Sequence, residues 1–288
     1  MEGLFPHLQV SYAVEDVGTS NAWICPREAG GFVIAVTLGA IAEFVSKANA
    51  FGKDFPRVGL SKEELQFFLM FKTLRFPSYD VFDNRVAEVF ASLALAAIIG
   101  HELGHAYERQ FEIGAPQNNH LLINHGAEFA ADYWSIQVAG RVIAPFFDIA
   151  RTNAEDSSHI FAADLLQAQF ILAAFACLDS IDLNRTWLAQ NVLDHKKNTH
   201  PVDAARLLNA AVAMVEWWSE NNARPPEIAN SVSLLALERI LEFCNLGVQL
   251  AGSTQQGELL KRMLERHDEA AKYLQGCRAR YLSWRDGP

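Results

Sequence analysis

From Val86 to Gly100 the chain carries almost nothing but apolar side chains, among them Val86, Val89, Phe90, Leu93, Leu95, Ile98 and Ile99. It then passes without a break into His101-Glu102-Leu103-Gly104-His105. A run that apolar describes a helix covered on most of its sides, so the fold has to supply a surround for it. The spacing predicts one helix from about Arg85 to Phe111. Histidines at the end of such a run point into protein, where polar groups need partners and a metal ion supplies one.

At about 3.6 residues per turn, positions four apart stack on one helical face, so both imidazoles reach a single ion and Glu102 lies on the adjoining flank. Zinc suits that arrangement: it takes imidazole nitrogens at about 2.0–2.1 Å and in catalytic sites keeps one of its four positions for water. A carboxylate beside that water can accept its proton. The functional reading is a zinc-dependent hydrolase, most often a peptidase. The plain alternative is a helix face that carries two histidines and a glutamate by chance.

A third ligand is expected from a second helix, Gly126 to Val138, which Gly140 ends. Glu128 and Asp132 are four apart there, on one face. Glu128 can complete a His/His/Glu set while Asp132 reaches the second nitrogen of a ligand histidine. Ala127, Ala130 and Ala131 allow a close approach to the first helix. His125, about one turn before Glu128, competes for the third position, and an ordinary acidic helix face is the bland reading of Glu128 and Asp132. A metzincin would need a glycine and then a histidine soon after His105, but the chain continues Ala106-Tyr107-Glu108-Arg109-Gln110-Phe111.

The rest of the chain reads as α+β, mainly helical. Leu8 to Val14 and Ala22 to Cys25 are expected as strands, with Phe32 to Thr37, β-branched and bounded by Gly30-Gly31 and Gly39, as a third. Ser61-Lys62-Glu63-Glu64 is a capping box opening a helix through about Lys72. Further helices are expected at Pro145 to Asn153, Ser158 to Leu178, Pro201 to Glu220, Pro226 to Gly247 and Gln255 to Tyr281. Pro225-Pro226 suggests a boundary, dividing the chain into 1–222 and a C-terminal helical extension, 223–288, packed on it. In that extension Leu234, Leu237, Leu241 and Cys244 recur at helical spacing, while Trp217-Trp218 before it reads as core.

The 288 residues, half of them hydrophobic, can bury a sizeable core. A net charge of -10 argues against nucleic acid and against an anionic membrane surface as partners. Cys25, Cys177, Cys244 and Cys277 lie far apart, which suggests free thiols in a reducing compartment and a cytoplasmic location. Cys25, close to the third strand, is a candidate for blocking the metal in a latent form. The N-terminus lacks the basic start and sustained apolar core of a signal peptide. Gly31 to Val45, Val86 to Gly100 and Phe161 to Leu178 are too short or too interrupted for membrane spans, so no membrane insertion is expected.

Four motifs together carry a resemblance. The Glu102-centred HELGH, the Glu128-Phe129-Ala130-Ala131-Asp132 helix, Thr199-His200-Pro201, and Asn21-Ala22-Trp23-Ile24 followed by Gly30 to Gly39 resemble the CAAX prenyl protease and HtpX family of gluzincin metallopeptidases. The chain is also similar to the Lit-type phage-exclusion peptidases. Coverage runs from about Asn21 to Arg206, with unmatched stretches between the motifs. The resemblance implies a gluzincin-like domain over 1–222, in which a small N-terminal antiparallel sheet sets an edge strand over a helical zincin-like core. His101, His105 and Glu128 would bind Zn2+, and Glu102 would be general base and acid. His200 would donate to the oxyanion of a carbonyl under attack, where one placed donor contributes roughly 2.7–4 kcal/mol. Arg206 would support the site. Val33, Ile34, Ala35 and Val36 would form the strand on which a protein or peptide substrate pairs, an ordinary core strand being the alternative. His200 is also readable simply as the residue before a proline that opens a helix. The rival functions are a zinc-containing binding or regulatory protein that hydrolyses nothing, with His125 or His120 sealing the metal, and a latent phage-defence protease. A regulatory partner would dock on the C-terminal helices.

Overall fold

The computed structural model describes residues 7–19, 21–55, 59–73, 82–108, 121–176, 203–221, 224–250 and 267–286. Its N-terminal part is a three-stranded sheet of β1 (Val10–Glu15), β2 (Ala22–Pro26) and β3 (Phe32–Thr37). The turn from β2 into β3 requires left-handed backbone at Gly30 and Gly31, with φ of 87° and 78°. At Gly31 a side chain is also excluded sterically, since a Cβ there would lie 2.5 Å from the carbonyl oxygen of Gln9.

Two expectations about this sheet are corrected. It is mixed, because β1 runs parallel to β3 with Val10 opposite Phe32, while β2 runs antiparallel with Ile24 opposite Ile34. In addition, β3 is the central strand, in the order β1-β3-β2. Val33, Ile34, Ala35 and Val36 therefore have neighbours on both sides and offer no open edge for a substrate strand. The reason lies in their chemistry: Ile34 to Val36 are all buried, and a strand with both faces covered by protein reads as a continuous apolar run.

β3 leads directly into α1 (Leu38–Asp54), with Thr37 as N-cap accepting from the Ala40 amide. The capping box before α2 (Lys62–Thr73) forms in full: Ser61 Oγ accepts from the Glu64 amide at 3.1 Å and Glu64 accepts from the Ser61 amide at 2.8 Å. The apolar run becomes α3 (Arg85–Tyr107), capped by Asn84.

Next comes α4 (Leu121–Thr152), a single helix where two were expected on either side of Gly140. Gly140 makes room for the Trp217 ring, which lies 2.5 Å from where a Cβ would be. Pro145 stays helical although its missing N–H removes a hydrogen bond. Burial of Ile136, Ala139, Ile143, Phe147 and Ala150 at helical spacing outweighs both breakers.

α5 (Ser157–Ala176) is the hub, packed by α2, α3, α4, α6 (Asp203–Asn221) and α7 (Pro226–Leu250). α8 (His267–Arg285) lies on α4 and α6. One core runs from Ile24 to Ile240 and includes Trp217 and Trp218, as expected of that pair. Phe51 of α1 stacks on Phe55 and Phe90 and meets Phe170 edge-on, joining three helices. In α7 the core face is Ala229, Val232, Ala236, Leu237 and Ile240; Leu234, expected inside, is 42% exposed. Leu241 and Cys244 lie outside the residues whose side chains are described. α3 and α5 are long and apolar enough to cross a membrane by length and composition, and most of each is buried within the fold.

Candidate metal centre

The centre is built on the seam between α3 and α4, and small residues set its width. A Cβ at Gly104 would lie 2.7 Å from the Ala131 Cα, and one at Gly100 would lie 3.0 Å from the Ser135 Cα. Glycine at these positions lets the two backbones meet at a distance that larger residues would forbid. His101 and His105 on one helix thereby face Glu128 and Asp132 on the other.

His101 and His105 present Nε2 to Nε2 at 3.1 Å. Glu128 places Oε2 3.5 Å from His101 Nε2 and Oε1 3.9 Å from His105 Nε2. Among the described residues, these three form the group whose ligand atoms converge, all within 4.8 Å of one another. Donors held tetrahedrally at about 2.0–2.1 Å from one ion stand about 3.3 Å apart, and the observed separations bracket that value. The buried group can hold a metal ion.

The remaining nitrogen of His101 is occupied. Asp132, fully buried, lies 3.0 Å from His101 Nδ1 through Oδ1. Arg206 of α6 donates to both Asp132 oxygens, at 2.6 and 3.0 Å, and packs over the Phe175 ring. Asp132 thus directs His101 Nε2 toward the ligand group, while Arg206 compensates the carboxylate. This is the arrangement by which an outer carboxylate fixes the tautomer and ring orientation of a ligating histidine.

Burial alone would lower the pKa of His101, but hydrogen bonds to Asp132 and Glu128 outweigh it and push the value up to about 10. Burial alone would raise that of Asp132, but the charge of Arg206 and the hydrogen bonds from His101 and Arg206 hold it below the usual carboxylate range. The surround of His101 therefore favours positive charge at its ring, whether carried by a proton or by a metal cation that displaces it. Glu102 is 8% exposed and sits beside His101 in sequence, on the flank of the ligand face.

Of the residues expected at the site, His101, His105, Glu128, Asp132 and Arg206 are brought together, and Glu102 is buried next to His101 on α3. His125 is not part of the converging group: it is fully buried and its Nδ1 pairs with the Tyr273 hydroxyl of α8. Cys25 is exposed and outside the group. His200 and His120 lie outside the described residues. Sequence reasoning missed Glu108, one turn beyond His105. It accepts from Trp134 Nε1 at 3.0 Å, from Arg285 Nη1 at 2.6 Å and from the Tyr281 hydroxyl at 3.5 Å, tying the end of α3 to α4 and α8. The only local signal for it was an acid at the end of an apolar helix, which carries no information about a partner 177 residues away. Comparison with family models, curated proteins and solved structures finds no match to this chain.

Proposed function

We propose that the protein is a zinc-dependent endopeptidase. The reading is supported above all by the convergence of His101, His105 and Glu128 in a buried seam, with one histidine backed by Asp132 and a further carboxylate, Glu102, on the same helix. Two imidazoles and one carboxylate are a borderline-hard set of three, which suits zinc and leaves a fourth position. Bound there, zinc would bring the pKa of a coordinated water near neutrality and polarise a peptide carbonyl.

Glu102 accepts the proton from the attacking water and passes it to the leaving amine, a role that requires it to be ionised before attack and neutral midway. Asp132 and Arg206 hold His101 in one orientation throughout, so the ligand set does not reorganise as charge develops. His200 is the resemblance's candidate for the oxyanion donor. It precedes α6, the helix that carries Arg206, by three positions.

Metal analysis of purified protein tests the first half of this reading: about one zinc per chain is expected, lost in His101→Ala and in Glu128→Ala. Detection of new protein N-termini tests the second. Glu102→Gln should keep the metal and lower cleavage by about 10²–10⁴, the contribution of a placed acid/base. Undiminished cleavage by that variant would overturn the mechanism.

A further inference from the structure

The flank of α4 opposite the metal seam lines a second concavity of about 260 Å3, close to the lower end of small-molecule sites at about 300–1,000 Å3. Three helices line it with one spacing, i, i+3, i+4 and i+7: Gly126 to Tyr133 on α4, Asn209 to Glu216 on α6, and Arg278 to Arg285 on α8. α4 packs extensively on both other helices, whereas α6 and α8 meet little. The result is a trough with α4 as floor and the other two as walls.

Its charges sit at two stations along α8. Arg278 is 3.4 Å from Glu216, and Arg285 is 2.6 Å from Glu108. Seven residues of helix separate the two arginines by about 10 Å, the reach of three extended residues at about 3.3–3.6 Å each. Between the stations the wall and floor are apolar, with Phe129, Val212 and Leu282.

The two stations differ. Glu108 is saturated by Trp134, Tyr281 and Arg285, and Arg285 also donates through Nε to Asp286 at 2.8 Å, so two carboxylates fix the guanidinium and leave Nη2 without a partner among the described residues. Among the described residues Glu216 has only a long contact to Arg278, the two side chains well exposed at 39% and 62%, and such pairs contribute little and exchange readily. Beside it lies Tyr133, partly buried, whose hydroxyl has no hydrogen-bond partner among the described residues.

We propose that this trough binds a short peptide by its free termini, the ammonium at Glu216 and the carboxylate at Arg285, with an apolar side chain against Phe129 and Val212. A cation station and an anion station about three residues apart, joined by an apolar wall, match a zwitterionic tripeptide. They match a uniformly charged or uniformly apolar ligand poorly. The site needs no metal and stands whether or not the protein cuts peptide bonds.

The test is calorimetric titration of full-length Glu102→Gln protein, stripped with EDTA, with the tripeptide Ala-Leu-Ala. Saturable one-to-one binding is expected. It should weaken at least tenfold with Glu216→Gln, with Val212→Trp, which fills the trough, and with the acetylated and amidated peptide. Circular dichroism checks that the tryptophan variant folds, and Glu216→Gln is conservative at an exposed position. Absence of binding, affinity unchanged in both variants, or equal affinity for the blocked peptide would overturn the proposal. So would binding seen only with metal restored, which would assign the peptide to the seam. Failure of the peptidase reading shows separately, as missing zinc or as cleavage retained without Glu102.

Discussion

Asp132 on α4 and Asp164 on α5 are both carboxylates buried in the helical core and both neutralised by arginine, yet they organise different things. Asp164 spends its two oxygens on two arginines, Arg151 at 2.7 Å and Arg224 at 3.0 Å, and the cluster is closed by a further contact from Arg151 to Gln167. Asp132 takes both bonds from one arginine and turns the same oxygen toward an imidazole as well. The far nitrogen of that imidazole then meets two more ligand atoms. The first cluster ends in protein; the second hands its charge on to a place where a cation fits. Burial and charge compensation alone do not mark a functional site. What marks it is a convergent set of acceptors continuing beyond the compensated pair.

Substitution at both acids separates the two roles. Asp164→Ala leaves Arg224 without its carboxylate and Arg151, among the described residues, with the exposed Asp148 alone, and should cost about 3 kcal/mol of stability, the low end for a broken buried pair, with zinc per chain unchanged; chemical denaturation and metal analysis read both. Asp132→Asn should instead show its clearest effect in metal affinity, weakened about 10–100-fold in a chelator competition. If Asp164→Ala lost metal as readily as Asp132→Asn, the contrast between the clusters would fail.

The seam itself is tested by its glycines. Gly104→Ala forces a Cβ against Ala131 and should destabilise by about 1–3 kcal/mol while weakening metal binding, because the ligand helices must part. Gly276→Ala in α8, where nothing lies within 4 Å, should stabilise by about 0.5–1 kcal/mol through helix propensity. The smallest effect compares two thiols. Burial raises the Cys277 pKa, only partly offset by its hydrogen bond to Tyr273, leaving it at about 11. At pH 8 it is held protonated, so peptide mapping after brief alkylation should find exposed Cys25 modified well before Cys277, with the gap narrowing as pH rises toward 11.

Much of this was legible along the chain, and the reasons differ by residue. The helices follow from periodicity and caps: Ser61 with Glu64 announces α2, and the apolar run announces α3. His101, Glu102 and His105 were legible because a helix converts a spacing of four into a shared face. Glu128 and Asp132 were legible for the same reason, although only the packing of α4 on α3 excluded His125. The misses share a cause. Gly140 and Pro145 carry strong local stop signals, and a buried face on either side of them overrode those signals. Leu234 has the right spacing for the core and the wrong neighbours. The apolar run of Val33 to Val36 fits a central strand, but which strands flank it, and in which direction, depends on how β1 and β2 are folded against it.

What the amino-acid sequence determines by itself is local: the helical segments, the face on which two imidazoles lie and the face on which a pair of acids lies, and the closed turn at Gly30-Gly31. These depend on backbone geometry repeating every few residues, which any stretch of chain carries with it. Only the tertiary structure decided that the two faces meet, how closely Gly100 and Gly104 let them meet, which arginine compensates Asp132, and that α8 returns to hold Glu108. Those outcomes depend on contacts between residues tens to nearly two hundred positions apart. Their free energy comes from burying whole helical faces against one another rather than from any one segment's own preference.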